Sequence, residues 1–146
     1  MSSIKERGLS KNHNLIFEDL RQNVNDPCFV IGDIDEINQV FVNLLENAIK
    51  YSFESSDVVV RIEQHNQEEV VISVINKGEG IPEKYLDRLT ERFFRVDKAR
   101  SRELGGTGLG LAIVKHILIK HRATMNISSE INDKTTFSIT FPLTNN

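Results

Sequence analysis

Apolar residues recur at helical spacing over one long stretch. From Asp35 to Tyr51, the residues Ile37, Val40, Phe41, Leu44, Leu45, Ala48 and Ile49 fall at i, i+3, i+4, i+7, i+8, i+11 and i+12, which predicts an amphipathic helix. Gly32-Asp33 stands at its start, with Asp33 as N-cap and Glu36 at the spacing of a capping box. Elsewhere the pattern is that of strands. Residues 14–18 and 28–31 read as short strands separated by the turn-rich Asn25-Asp26-Pro27. Val58–Glu63 and Val70–Ile75 are β-branched runs joined by the polar segment Gln64–Glu69, a hairpin. Met125–Glu130 and Thr136–Phe141 form a second pair, in which Phe137, Ile139 and Phe141 alternate with polar residues. Between the pairs, residues 76–107 are glycine-bearing, charged and irregular, with a short helix after Pro82, and a second helix runs from about Gly108 to His121. Hairpins outnumber crossover units, so the order predicts an α+β, two-layer α/β sandwich with a mixed, largely antiparallel sheet rather than a doubly wound one.

The second helix is preceded by Gly105-Gly106-Thr107-Gly108-Leu109-Gly110-Leu111. Such a run frees the backbone to approach a ligand closely. A chain of free amides entering a helix N-terminus is a natural anion site, and phosphate is the obvious anion.

Composition narrows the class without naming a function. A chain of 146 residues, 39% apolar and 27% charged, fits one soluble globular domain. We expect a flexible segment over residues 1–12 and the folded domain over 13–146. The net charge of −3 gives no reason to expect nucleic acid as a partner. No apolar run reaches the roughly 18 residues of a membrane span, and Met1-Ser2-Ser3-Ile4-Lys5 lacks the pattern of a secretory signal. The one cysteine, Cys28, permits neither an internal disulfide nor a cysteine metal cluster, in keeping with a reducing cytosol.

The polar face of the first helix carries Glu36, Gln39, Asn43, Glu46, Asn47 and Lys50, and Asn43, Asn47 and Lys50 share one narrow strip. A solvated face is an equally good reading of the stripe alone. Two asparagines weigh against it, because asparagine is a poor helix former and a face selected for stability favours Glu, Lys, Gln or Ala. Their amide oxygens are hard ligands suited to Mg²⁺, and Lys50 offers a positive charge to phosphate. Tyr51 is either core or a ring presented to a base.

Four segments together resemble a known family. Asn43-Leu44-Leu45-Glu46-Asn47-Ala48-Ile49-Lys50-Tyr51-Ser52 resembles the N box of the sensor histidine kinase catalytic domain, a member of the Bergerat-fold (GHKL) ATPase superfamily. Asn76-Lys77-Gly78-Glu79-Gly80-Ile81-Pro82 resembles its first glycine box, Glu91-Arg92-Phe93-Phe94-Arg95-Val96-Asp97 its F box, and Gly106-Thr107-Gly108-Leu109-Gly110-Leu111 its second glycine box. The motifs keep the family's order and spacing over roughly residues 14–143. Residues 88–102 resemble the phosphate-regulon, or PhoR, type.

The resemblance implies ATP and Mg²⁺ as cofactors and assigns roles. Asn47 coordinates Mg²⁺ on the ATP phosphates, Asn43 assists there, Lys50 contacts phosphate and Tyr51 lies against adenine. The first glycine box ordinarily begins with Asp, which accepts a hydrogen bond from the adenine amino group. Here that position is Asn76, which can still accept but brings no charge. Gly78 and Gly80 let the chain pass under the base, and Ile81 packs beside it. Between the glycine boxes lies the family's mobile ATP lid, where Arg95 and Arg100 are the candidates for γ-phosphate contacts and Lys98 and Arg102 read as a solvated basic loop. Phe93 and Phe94 dock the lid. Thr107 and the amides of Gly106, Gly108, Leu109 and Gly110 cradle phosphate. Asn132-Asp133-Lys134-Thr135-Thr136-Phe137 stands in place of a Gly-Lys-Gly-Thr-Thr-Phe turn, so both turn glycines are missing, and Thr135 or Thr136 is expected near the pocket rim.

ATP-hydrolysing superfamily members such as gyrase and MutL carry glutamate at the position of Asn43. Asparagine is no general base, so the resemblance favours transfer to a protein nucleophile over hydrolysis. Glu46 is the candidate for orienting the acceptor imidazole. None of His13, His65, His116 and His121 sits in a phosphoacceptor pattern such as His-Glu-x-x-Thr-Pro, and none is expected to be an acceptor or ligand. Surface or cap roles are expected for His116 and His121, while His13 lies in a polar N-terminal segment and His65 in a hairpin turn. The implied function is that of a protein-histidine kinase catalytic domain, cytoplasmic and belonging to an inner-membrane sensor kinase or encoded alone. Its partners would be a separate histidine-bearing dimerisation domain and a downstream response regulator, with no membrane contact of its own. Two alternatives stay open: a stand-alone Bergerat-fold serine kinase like the anti-sigma-factor kinases, and a non-catalytic nucleotide-binding domain.

Overall fold

The computed structural model describes residues 13–22, 25, 27–91 and 110–144. In chain order the elements are β1 (Asn14–Asp19), α1 (Ile34–Tyr51), β2 (Asp57–Glu63), β3 (Glu69–Lys77), α2 (Glu83–Leu86), α3 (Gly110–Lys120), β4 (Thr124–Ser129) and β5 (Lys134–Pro142). The five strands form one sheet in the order β1-β2-β3-β5-β4. β1 pairs with β2 in parallel across the α1 crossover, and every other pairing is antiparallel. The mixed sheet packed on helices is the α+β sandwich that the pattern predicts.

Strand periodicity puts the core on one sheet face. Val58, Val60, Val70, Val74, Phe137, Ile139 and Phe141 turn toward the helices and are buried. They meet Val40, Leu44, Leu45, Ala48 and Ile49 of α1 and Val114, Ile117 and Leu118 of α3. Phe41 and Phe141 pack as a tilted aromatic pair, with centroids 6.2 Å apart. The opposite face carries polar pairs, including Ser73 with Ser138 at 3.0 Å and Arg61 with Glu18 at 2.8 Å.

Residues 28–31 are not a strand. Only Phe29 makes an isolated bridge, to Thr144, while Cys28 and Val30 pack on the core from the side. Pro27 supplies no amide donor at the entry to this run, and Gly32-Asp33 turns the chain into α1 directly after it, so no ladder has room to form.

The start of α1 also departs from expectation in one half. The Asp33 carboxylate accepts from the amides of Asp35 (2.9 Å) and Glu36 (3.1 Å), as an N-cap does. Glu36 does not reach back to complete a capping box. Its carboxylate instead binds the Lys120 ammonium at 2.8 and 3.0 Å. The Asp33 amide donates to His121 Nε2 at 3.0 Å, while His121 Nδ1–H donates to the Ile117 carbonyl at 2.8 Å. The neutral Nδ1–H tautomer satisfies both bonds, and His121 is buried at the end of α3. It therefore caps its own helix and replaces the missing half of the other helix's box.

Candidate functional site

The end of α1 and the end of β3 are fastened to each other. Ser52 and Gly78 form an antiparallel bridge, and the Phe53 amide donates to the Lys77 carbonyl at 2.8 Å. This brings Lys50 and Tyr51 of the N box alongside the first glycine box. Gly78 is required at this crossing, because a Cβ there would collide with the Tyr51 carbonyl oxygen. Beyond it the chain turns through Gly80, whose φ of 85° favours glycine, and a Cβ there would lie 2.8 Å from the Glu130 carbonyl oxygen.

Residues 78–81 are laid against the β4–β5 turn. The Gly78 amide donates to the Asp133 carbonyl at 3.1 Å, and the Asn132 amide to the Glu79 carbonyl at 2.9 Å. The turn manages without its two glycines because Asn132 itself adopts a left-handed φ of 59°, a conformation asparagine tolerates well. One layer below, the Ile81 amide donates to Ser129 Oγ at 2.9 Å, and Ser129 Oγ lies 2.7 Å from Thr135 Oγ1.

Register decides which of the two candidate threonines belongs here. Thr135 pairs with Asn76 and shares the helix-facing side of the sheet, whereas Thr136 pairs with Ile75 on the other face. Asn76 is 5% and Thr135 4% exposed. Among the described residues, no hydrogen bond engages the Asn76 side-chain amide.

Along α1, Asn38 and Gln39 are exposed, but Asn43, Glu46, Asn47 and Lys50 are half-buried. Glu36 is half-buried as well, so Gln39 is the exposed member of the stripe. Tyr51 ends the helix, Ile81 packs partly buried against the core, and Gly110 opens α3. The structure therefore gathers Tyr51, Asn76, Gly78, Gly80 and Ile81 around one crossing, with Asn43, Glu46, Asn47 and Lys50 on the helix leading into it. Arg95, Arg100, Gly106, Thr107, Gly108, Leu109 and the F-box residues from Arg92 onward lie outside the described residues, as does the segment 1–12.

Sequence reasoning names no long-range partner for three contributors, although it expects a cap role of His121. Ser129 sits at a strand end with no motif around it. Ser52 Oγ donates to the Ile49 carbonyl at 3.1 Å and lies 2.7 Å from His13 Nε2, so His13 braces the end of α1 from the start of β1. His121 joins the far ends of α1 and α3. None of these long-range links has a local signature, since Ser129 meets Ile81, His13 meets Ser52 and His121 meets Asp33 across 39 to 88 residues of chain. Of the other histidines, His65 is exposed in the β2–β3 turn, 3.5 Å from Glu63, and His116 is exposed on α3.

Among the described residues, no group of three or more His, Cys, Asp or Glu side chains could hold a metal. The donors present are the half-buried amides of Asn43 and Asn47, which make no hydrogen bond to the described residues. A single amide oxygen suits Mg²⁺, which keeps several waters and takes its remaining ligands from phosphate oxygens.

A mixed sheet covered on one face, with an amide-bearing helix crossing a glycine turn, has a counterpart among known families. Residues 32–145 match the family of histidine kinase-, DNA gyrase B- and HSP90-like ATPases, and the chain belongs to it. ATP is the ligand that membership implies. The chain is 44% identical over 110 residues to the phosphate regulon sensor protein PhoR of Pseudomonas aeruginosa, covering 75% of this chain and 25% of that protein. It is 42% identical over 126 residues to the sensor histidine kinase WalK of Bacillus subtilis, covering 86% and 21%. The chain thus spans about a quarter of the length of these relatives. Among solved structures, the mycobacterial sensor histidine kinase MprB superposes with a TM-score of 0.80 at 27% identity, covering 97% of this chain and 89% of that one. The nucleotide-free catalytic domain of the histidine kinase ThkA does so with a TM-score of 0.77 at 27% identity, covering 97% and 86%.

Proposed function

We propose that this chain binds Mg-ATP and delivers its γ-phosphate to a histidine on a separate dimerisation domain, as the catalytic part of a two-component sensor kinase that then serves a response regulator. The observation that carries this reading is the fastening of α1 to β3 at Ser52 and Gly78, which sets the N-box strip against the first glycine box. Asn76 would face the base, Tyr51 and Ile81 would flank it, and Gly78 and Gly80 would let the backbone pass beneath it. Lys120 is tied to Glu36 and His121 to Asp33, so α3 runs back along α1. Ten residues of helical rise, about 15 Å, carry Gly110 to the level of Glu46 and Asn47. Its free amides and positive dipole end would then meet the phosphates beside Asn43, Asn47 and Lys50.

Phosphoryl transfer depends on positioning and charge neutralisation more than on covalent chemistry. Asn47, assisted by Asn43, would hold Mg²⁺, which supplies charge neutralisation at the phosphates when bound. Lys50, Arg95 and Arg100 would add positive charge, and Thr107 with the amides of Gly106, Gly108, Leu109 and Gly110 would complete the cradle. Asn43 offers no general base for water, which leaves the acceptor imidazole as nucleophile, and Glu46 would orient that ring.

The test is incubation with radiolabelled ATP, Mg²⁺ and a two-helix phosphoacceptor domain. An acid-labile, base-stable phosphoprotein is expected, and it disappears with Asn47→Ala. An acid-stable product indicates a serine acceptor instead. Unchanged, metal-independent ATP affinity in Asn47→Ala overturns the assignment of that residue.

A further inference from the structure

Among the described residues, the one buried side-chain polar atom without a hydrogen-bond partner is His13 Nδ1. The other ring nitrogen is committed. His13 Nε2 lies 2.7 Å from Ser52 Oγ, and Ser52 Oγ donates its only proton to the Ile49 carbonyl at 3.1 Å. Nε2 must therefore carry the ring proton and donate to Ser52 Oγ, which leaves Nδ1 a lone pair with nothing to meet. A buried acceptor in that state is a cost to the fold, and a phenyl ring would fill the same space without it. What histidine adds over an apolar ring of this size is the bond to Ser52.

That bond acts on the last turn of α1. Ser52 follows Tyr51 with an extended backbone, φ −86° and ψ 159°, so the helix stops there, and its hydroxyl reaches back to Ile49 across Lys50 and Tyr51. On the β3 side the same turn is gripped by the Ser52–Gly78 bridge and by the close approach of Gly78 to the Tyr51 carbonyl oxygen. His13 is a fixed point in its own right. The next residue, Asn14, opens β1, pairs with Asp57 at the start of β2 and donates to the Asp57 carboxylate at 3.2 Å. Two strands thus hold the turn that carries Lys50 and Tyr51: β3 through its backbone, and β1 through a single imidazole.

On the nucleotide-pocket reading above, we propose that His13 is a positioning residue of the site: by aiming the Ser52 hydroxyl at the Ile49 carbonyl it holds Lys50 and Tyr51 in place, without itself touching the nucleotide. Calorimetric titration of the intact chain with Mg-ATP, beside thermal melting, tests it. His13→Phe keeps a ring of similar size and removes both the donor and the orphaned nitrogen, so its melting temperature should stay within about 4 °C of the wild type. Its affinity should nevertheless fall about five-fold, the low end of coupling between linked sites. Ser52→Ala should weaken binding as well, and the double variant should bind no worse than Ser52→Ala alone, because both changes break one link. A double variant that loses the product of the two single effects overturns the link. If His13→Phe does not fold, Ser52→Ala decides, and unchanged affinity there overturns the inference. In the wild type, proton–nitrogen correlation of the His13 ring should find the proton on Nε2, and a neutral ring protonated on Nδ1 overturns the donor assignment and the inference with it. Affinity left unchanged in a folded His13→Phe variant overturns this inference alone, whereas no Mg-ATP binding by the folded wild type overturns the nucleotide reading itself.

Discussion

Replacing Gly78 by alanine is expected to weaken the fold and the nucleotide site together. The added methyl would meet the Tyr51 carbonyl oxygen, a backbone atom that cannot rotate aside, so either α1 or β3 must move. Forced overpacking of this kind costs about 1–3 kcal/mol. Removing a glycine also stiffens the unfolded chain, which offsets about 0.4–1 kcal/mol of that loss. The net destabilisation is about 1–2 kcal/mol, or roughly 3–8 °C in melting temperature for a chain of this size. A fold with the usual stability of about 5–15 kcal/mol stays overwhelmingly folded at 25 °C after such a loss. Any fall in affinity must then come from displacement of Lys50 and Tyr51 rather than from unfolding. We expect Mg-ATP binding by calorimetry to weaken by about ten-fold, equivalent to 1.4 kcal/mol. A lowered melting temperature with unchanged affinity would refute the link between this crossing and the nucleotide, and an unchanged melting temperature would refute the close approach itself.

Further perturbations separate the site from its scaffold. His121→Ala removes the acceptor of the Asp33 amide and should cost about 2–3 kcal/mol in urea denaturation, with ATP affinity unaltered because it lies at the opposite end of α1. Ser129→Ala strips the Ile81 amide of its acceptor and should lower stability by about 1–2 kcal/mol while weakening ATP binding. At Gly110 a Cβ meets nothing within 4 Å among the described residues, so Gly110→Ala should stabilise α3 by about 0.5 kcal/mol. The same variant should still lose affinity if phosphate passes there, and full affinity would exclude that path. The Arg21 guanidinium, bound to Asp19 at 2.7 Å, holds the Asp19 carboxyl below its ordinary value. Since the folded state favours the ionised form, its contribution is present above about pH 4 and fades as pH falls through the folded value. Wild type and Asp19→Asn should therefore differ in urea midpoint at pH 6 and converge at strongly acidic pH.

The amino-acid order by itself determined the elements whose cause is local. The spacing of Val40, Leu44, Leu45, Ala48 and Ile49 commits α1 to a helix wherever it packs, and Asp33 caps it through amides two and three residues away. The β-branched runs of β2 and β3 and the alternation in β5 were legible for the same reason, as were the four motifs. Only the tertiary structure decided that residues 28–31 forgo a strand, that Glu36 binds Lys120 instead of its own helix, and that Thr135 rather than Thr136 joins Asn76. Those outcomes depend on which partners arrive from far along the chain and in which register. A one-residue slip of β5 would exchange the two threonines between the faces, because side chains alternate along a strand. The site is a junction of this kind. Its residue types can be named from the order of the chain, but their company is settled by the Ser52–Gly78 bridge and by the pairing of β3, β5 and β4.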